Sequence, residues 1–386
     1  MNFFPVLVLF IIWRIADFLI IYLSPKIIPY LGFFPYVQEL KKFHLPYWIY
    51  SLANFDGIHY IKIAQHGYEQ YEQAFFPLYP LLIRFLKPFL FNNALLAGTL
   101  ISNCAFLLGL WFFSKYIKLI FPKQNIFPLI IVILLFPSSF FFGALYTEGL
   151  FFFLVVLSLY FLEKKRYFLA GIFGFLTSLT RFMGMLLVIP FAIYVWKKKS
   201  LFSILSSRFS LLVISPLLGL IGYSLYLFKT TGDPLFFLTS QPLFGAHRST
   251  NIIFLPQVYF RYLKIFFTAQ FDFRYLISLF EFTIFTFVFI ILIVDLFANL
   301  KFMGDYRLEV RNYNRLGINI FSFVNLLLPT FTGTFSSIPR YALFSLSFFV
   351  FFAGIKNKWI MIFSRLLFFL LHILLLGFFS QGYFVS

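Results

Sequence analysis

Acidic residues are scarce in this chain, 13 among 386, and those best placed to do chemistry fall in one stretch, Asn54 to Pro80, NFDGIHYIKIAQHGYEQYEQAFFPLYP. Asp56, Glu69 and Glu72 gather there with His59 and His66, between apolar runs long enough to cross a membrane. Carboxylates and imidazoles are the side chains that exchange protons at moderate pH. If a helix begins at Asp56, His59 lies three residues on and shares its face. Ordinary structural roles compete: an aspartate in N-F-D-G can cap a helix by accepting backbone N–H bonds, and a lone histidine can simply pack. Glu69 and Glu72 are expected to face water. A carboxylate pair near Asp56 could hold a divalent ion, but there is no Asp-x-Asp spacing, so no metal is assigned.

Other ionisable residues stand out by position. Glu148 lies at the edge of two apolar stretches, and Arg181 interrupts an apolar hairpin; an ionisable group placed so is a functional candidate by default. Arg181 asks for a partner, and Glu148 is one option. Arg340, at the end of a span, could equally snorkel to headgroups. Asp233 in T-G-D-P reads as turn chemistry.

The elements that position these residues follow from composition. The chain is 61% hydrophobic and 24% aromatic, with 11% charged residues and a mean hydropathy of +0.92, outside what a soluble domain carries. It is an integral membrane protein, and its long continuous apolar runs imply helices rather than the alternating strands of a barrel. Segments at 3–23, 92–113, 126–142, 145–162, 167–180, 182–196, 209–229, 277–300, 316–330, 341–355 and 359–379 suggest about eleven spans. Several fall short of the roughly 20 residues a lipid-exposed helix needs, which predicts short or broken helices inside a bundle. The single cysteine, Cys104, is expected to be a buried small hydrophobe.

The formal charge of +18 does not indicate nucleic acid, because the basic residues punctuate the spans instead of forming one stripe. Lys115, Lys118 and Lys123 follow the second span; Lys164, Lys165 and Arg166 the fourth; Lys197, Lys198 and Lys199 the sixth; Lys301, Arg307, Arg311 and Arg315 the eighth; Lys356 and Lys358 the tenth. The positive-inside rule makes those ends cytoplasmic, with the N-terminus inside. Segments 24–91 and 230–276 and the turns near Thr147, Arg181 and Arg340 then share the non-cytoplasmic face. Within the first long segment, Phe75 to Phe91 is expected to form an interfacial helix, with Arg84 and Lys87 snorkelling.

The stretch FDGIHYIKIAQHGYEQYEQAFFPLYPLLIR resembles the first non-cytoplasmic loop of the PIG-V family, mannosyltransferases that use a dolichyl-phosphate-mannose donor, and of their prokaryotic relatives. Asp56, His59, Ile63, Ala64, Gly67, Tyr68, Ala74, Phe75, Phe76 and Pro77 stand on the family's pattern, and Phe55 replaces its usual tryptophan. FPSSFFFGALYTEGLFFF is similar to a later segment and places Pro137, Tyr146, Thr147 and Glu148 on it. LTRFMG supplies Arg181, with Phe182 where a small polar residue is usual; TGDPLFFLTSQPLFGAHR and SIPRY resemble a G-D-P loop and a late arginine motif. The spans between match only in hydrophobicity.

The resemblance implies a GT-C fold over residues 1–386, with 24–91 as a catalytic loop and 230–276 as a second loop with an interfacial helix. It implies sugar transfer with inversion, from a polyprenyl-phosphate donor to a glycan or glycolipid acceptor, outside the cell membrane. Asp56 and His59 are then the catalytic candidates, Asp56 as the base that takes the acceptor hydroxyl's proton. Arg181 and Arg340, with Glu148, Arg248 and His247 as further candidates, would hold the donor's phosphate and sugar. No cofactor is expected, the lipid-linked sugar being a co-substrate, and membrane lipids are the remaining partner. The alternative is a lipid-linked sugar flippase or transporter, for which ionisable residues near the bilayer midplane and repeat symmetry would speak.

Overall fold

A computed structural model describes residues 2–198, 208–240, 249, 251–302 and 309–385. Among these residues every regular element is helical and none is a strand, as expected where lipid offers backbone groups no partner. Five helices are long and apolar enough to cross a membrane: Phe3–Lys26, Ala94–Ile120, Phe209–Thr231, Phe273–Leu300 and Lys358–Ser380. Their exposed residues are large and apolar, such as Ile11, Ile12, Ile15 and Leu19 on the first, the spacing of one helix face turned to lipid. Asparagines start two of these helices. Asn93 Oδ1 accepts from Leu96 N at 3.0 Å, and Asn357 Oδ1 from Trp359 N at 3.0 Å and Ile360 N at 3.2 Å. Each thereby satisfies donors that a first helical turn leaves open.

We label α1 Phe3–Leu23, α2 Asp56–His66, α3 Leu78–Leu86, α4 Ala94–Ile120, α5 Ile126–Leu135, α6 Glu148–Glu163 and α7 Tyr167–Ser178. The later helices are α8 Val188–Lys198, α9 Arg208–Thr231, α10 Leu255–Thr268, α11 Phe273–Phe302, α12 Glu309–Leu327, α13 Ile338–Ala342, α14 Leu346–Ala353 and α15 Lys358–Ser380. At the centre stands α6, apolar on every side and buried along most of its length. It runs parallel to α4 and touches it closely. A Cβ on Gly149 would lie 2.5 Å from the Ser102 carbonyl oxygen, and one on Gly109 would lie 2.7 Å from the Phe152 ring.

Several of the expected spans are broken, 182–196 among them, which is 3-10 over Phe182–Leu187 before its α-helix begins. The segment 126–142 is helical only to Leu135, then turns at Pro137 into a 3-10 stretch, Ser139–Phe142. The segment 316–330 ends in 3-10 turns at Leu328–Thr332, and 341–355 is divided between α13 and α14. Pro137 and Pro329 stand where those helices give way, and Pro339 opens α13; each lacks the N–H a continuing helix needs. Two of these irregular segments meet near Asp56, where Ser138 Oγ donates to Pro339 O at 2.6 Å and Arg340 follows.

Two expectations fail on side-chain direction. Cys104 is exposed, on the outer face of α4. Within the 75–91 stretch the helix α3 does form, with Leu81 and Phe85 exposed and Tyr79, Pro80 and Ile83 buried. Its Arg84, however, donates to the carbonyls of Ala64 at 2.9 Å and Ile63 at 3.1 Å. Arg84 thus adds donors at the end of α2, where Gly67 N also bonds the Ile63 carbonyl at 3.0 Å. In the second long segment α10 buries Val258 and Tyr262 and exposes Phe260, Leu263 and Phe267.

Candidate functional site

Phe55 adopts φ 57° and ψ −115°, a conformation that costs free energy in a residue with a side chain. Neighbours hold it there. Its ring packs 4.9 Å from Phe34, 5.6 Å from Phe379 and 5.4 Å from Phe384, centroid to centroid. The chain before it is fixed by Tyr146, whose hydroxyl donates to the Asn54 carbonyl at 2.7 Å, and by Asn54 Nδ2, which donates to Phe379 O at 2.9 Å. From this pinned turn α2 starts at Asp56 itself, so Phe55, not Asp56, occupies the capping position.

The Asp56 carboxylate turns to Arg340 instead. Arg340 Nη1 donates to Asp56 Oδ2 at 2.7 Å, and its Nε donates to Glu148 Oε1 at 2.8 Å. Arg181 Nη1 reaches the same Glu148 oxygen at 2.6 Å and Thr147 Oγ1 at 3.2 Å. Four segments thus meet in one row, Asp56, Arg340, Glu148, Arg181, with two charges of each sign. Glu148 begins α6, where the positive end of the helix dipole favours a carboxylate. Arg181 leaves α7 in extended conformation, and the chain folds back at once because Gly184 lies against Thr177 and Ser178, where a Cβ would come within 2.4 Å of backbone. Arg340 sits in the single turn of α13, reached through Ser337 at φ 65°.

Burial is deepest inside the row, at Glu148, and eases toward both ends. Side-chain exposure is 29% for Asp56, 12% for Arg181, 8% for Arg340 and 0% for Glu148. Asp56 is therefore the carboxylate that an incoming molecule meets. Burial by itself lowers the pKa of Arg340, but the charges of Glu148 and Asp56 outweigh it and hold the guanidinium well above its ordinary value. The Tyr146 and Phe141 rings lie 4.8 and 5.0 Å from its central carbon, and the Tyr341 ring lies 5.1 Å from that of Arg181. Glu148 Oε2 is buried with no hydrogen-bond partner. An orphaned carboxylate oxygen beside an accessible site is an open acceptor for a hydroxyl or N–H.

Tyr60, unnoticed in the sequence, belongs to this site. Burial first, then the charges of Asp56 and Glu148, raise its pKa, so it remains a hydroxyl donor beside Thr147. Its position one residue after His59 gave no signal of its own. His59 pairs with Glu72: Nδ1 lies 3.1 Å from Oε1, and the ring stacks on Phe75 at 5.2 Å. Glu72 consequently does not face water as expected. It is 4% exposed and also accepts from Glu69 N at 3.1 Å, while Glu69 is exposed. Asp233 shapes its turn, accepting from Leu235 N at 2.8 Å and Thr239 Oγ1 at 2.7 Å. His247 and Arg248 lie outside the described residues. Among those described, no group of three or more His, Cys, Asp or Glu side chains is placed to hold a metal ion.

A second charged group lies inside the spans. Arg14 Nη1 donates to Asp17 Oδ2 at 2.9 Å, and Asp17 Oδ1 is 2.8 Å from His372 Nε2. His372 Nδ1 is 3.1 Å from Ser139 Oγ, which itself donates to Leu134 O at 2.6 Å. This group ties α1 and α15 to the irregular segment below Tyr146. Its sequence signal was plain, two charges within a span of unbroken apolar character, and a reading based on average hydropathy passes over it.

No protein-family model matches the chain, and no curated protein matches it.

Proposed function

We propose that this protein is a membrane glycosyltransferase of PIG-V-like type that moves a sugar, in our reading mannose, from a polyprenyl phosphate to a glycan or glycolipid hydroxyl. The observation that carries the reading is the half-buried Asp56 carboxylate, held at 2.7 Å by Arg340 at the accessible end of a buried charge row. The acceptor hydroxyl attacks the anomeric carbon, its new C–O bond forming as the bond to the phosphate oxygen breaks on the opposite face; its proton passes to Asp56, and the phosphate leaves with the bonding electrons. Arg340 orients the Asp56 carboxylate through its hydrogen bond at 2.7 Å, and a carboxylate suits a hydroxyl that sheds its proton only as the bond forms. Arg181 uses Nη1 alone toward Glu148 and Thr147, which leaves its other N–H groups for the developing phosphate charge. Arg340, committed to two carboxylates, is assigned to positioning instead. Glu148 Oε2 and the Tyr60 hydroxyl are assigned to sugar hydroxyls. In this reading the site lies on the non-cytoplasmic face of the cell membrane and the N-terminus is cytoplasmic.

A flippase or transporter is the second reading, and Arg14, Asp17 and His372 favour it because they lie within spans. Against it, Asp17 is fully buried and all three take partners inside the protein. The deciding experiment gives purified protein radiolabelled polyprenyl-phosphate-mannose and a panel of membrane-extracted acceptors. Transfer by the wild type and its loss in Asp56→Asn are expected; equal transfer by both would remove Asp56 from the mechanism. Cysteine labelling at position 70, in a Cys104→Ser background since Cys104 is exposed, tests the face: reaction only from the cytoplasm overturns the orientation.

A further inference from the structure

At its start α4 packs beside Leu145, and it ends at Ile120, away from Asp56. Beyond that far end, Phe121 and Gln124 meet Asp295 and Asn299 of α11, Arg315 of α12 and Ser347 of α14 around a cavity of about 320 Å³. Among the described residues Asp295 is anchored on one oxygen only: Asn319 Nδ2 donates to Oδ2 at 2.7 Å, and Ser347 Oγ donates to the same atom. One turn on, Asn299 Nδ2 lies beside Asp295 without completing a hydrogen bond. Arg315 rests over the Phe121 ring at 4.2 Å and makes no hydrogen bond to a described residue. Asp295 and Arg315 feel each other's charge but form no ion pair. Two opposite charges therefore face one cavity, each with bonding capacity left over.

We infer that this cavity binds a zwitterion, its primary ammonium on Asp295 and its anionic group on Arg315. A simple anion would leave the Asp295 carboxylate uncompensated, and a simple cation would meet the guanidinium; only a ligand with both signs neutralises both at once. A primary rather than quaternary amine is required, since the free Asp295 oxygen needs an N–H donor. The site is independent of sugar transfer, lying at the other end of the bundle. Two sources present this chemistry: the headgroup of an ethanolamine phospholipid, and a soluble zwitterion such as O-phosphoethanolamine.

The test measures binding to the purified full chain in detergent, without any sugar donor. Dioleoylphosphatidylethanolamine is expected to bind saturably and roughly tenfold more tightly than dioleoylphosphatidylglycerol, which shares the phosphate but lacks the amine. Asp295→Asn, which keeps the side chain's size and its bonds from Asn319 and Ser347, should abolish that preference. Arg315→Gln should weaken the ethanolamine lipid by about tenfold. Thermal unfolding checks that both variants fold. Displacement of the lipid by O-phosphoethanolamine at comparable affinity upholds the site and names a soluble ligand, whereas binding of the diacyl form alone upholds it and names the headgroup. Equal affinity for the two lipids, or an undiminished preference in folded Asp295→Asn, overturns the proposal.

Discussion

The row at Asp56 and the group at Asp17 are built from the same kinds of side chain, and they end differently. From Arg181 through Glu148 and Arg340 the first row leads outward to a carboxylate with 29% of its side chain exposed, and it keeps a buried oxygen of Glu148 without a partner. In the second group Asp17 has no exposure, and both its oxygens are bound, by Arg14 and by His372. A buried ion pair does not by itself stabilise a fold, though breaking one is costly. The difference between these regions is therefore one of access. Charges closed on each other hold helices in place, while charges left with open valence and a path outward are available to a substrate.

That contrast can be broken by paired substitutions. Asp56→Asn is expected to reduce sugar transfer by about 10²- to 10⁴-fold while costing about 1 kcal/mol of stability or less, since its ion pair is part-exposed; transfer kinetics and thermal unfolding in detergent read the two. Arg340→Gln leaves Asp56 without its cation and Glu148 with Arg181 alone, and should cost about 3–5 kcal/mol, visible as a lowered unfolding midpoint. Asp17→Asn should behave in the opposite way to Asp56→Asn, losing about 3 kcal/mol of stability with transfer per folded molecule unchanged. Loss of transfer in Asp17→Asn with full stability would erase the distinction.

Smaller changes sharpen it. Gly184→Ala forces a methyl onto the backbone of Thr177 and Ser178, so a cost of about 1–3 kcal/mol is expected, with weakened donor binding because Arg181 is displaced. Glu72→Gln replaces the charged partner of His59 with a neutral one. A loss of about 1 kcal/mol and less than a tenfold change in transfer are expected, and a larger kinetic effect would move His59 from the loop's framework into the reaction.

Much of this was legible locally. Apolar runs announced the helices, because lipid allows few alternatives. Segments too short for a lipid-exposed helix announced breaks, while the caps at Asn93 and Asn357 and the prolines at the breaks emerged only with the structure. Asp56, Glu148, Arg181 and Arg340 each drew notice as a charge where apolar chain predominates. What local pattern could not show was their meeting, since Arg340 binds Asp56 across 284 positions and Glu148 across 192. The same limit explains Glu72, which looks like a loop acid until His59 comes round to it, and Arg84, whose partners are carbonyls of another helix.

By itself, then, the sequence determined that this is a helical membrane protein, roughly where its long apolar helices run and which charges are out of place, because hydropathy acts within a few turns of chain. Only the tertiary structure decided which of those charges face one another, which are closed and which remain open. Those outcomes depend on how helices distant in sequence pack, and they turn a scattered handful of ionisable residues into one row with Asp56 at its accessible end.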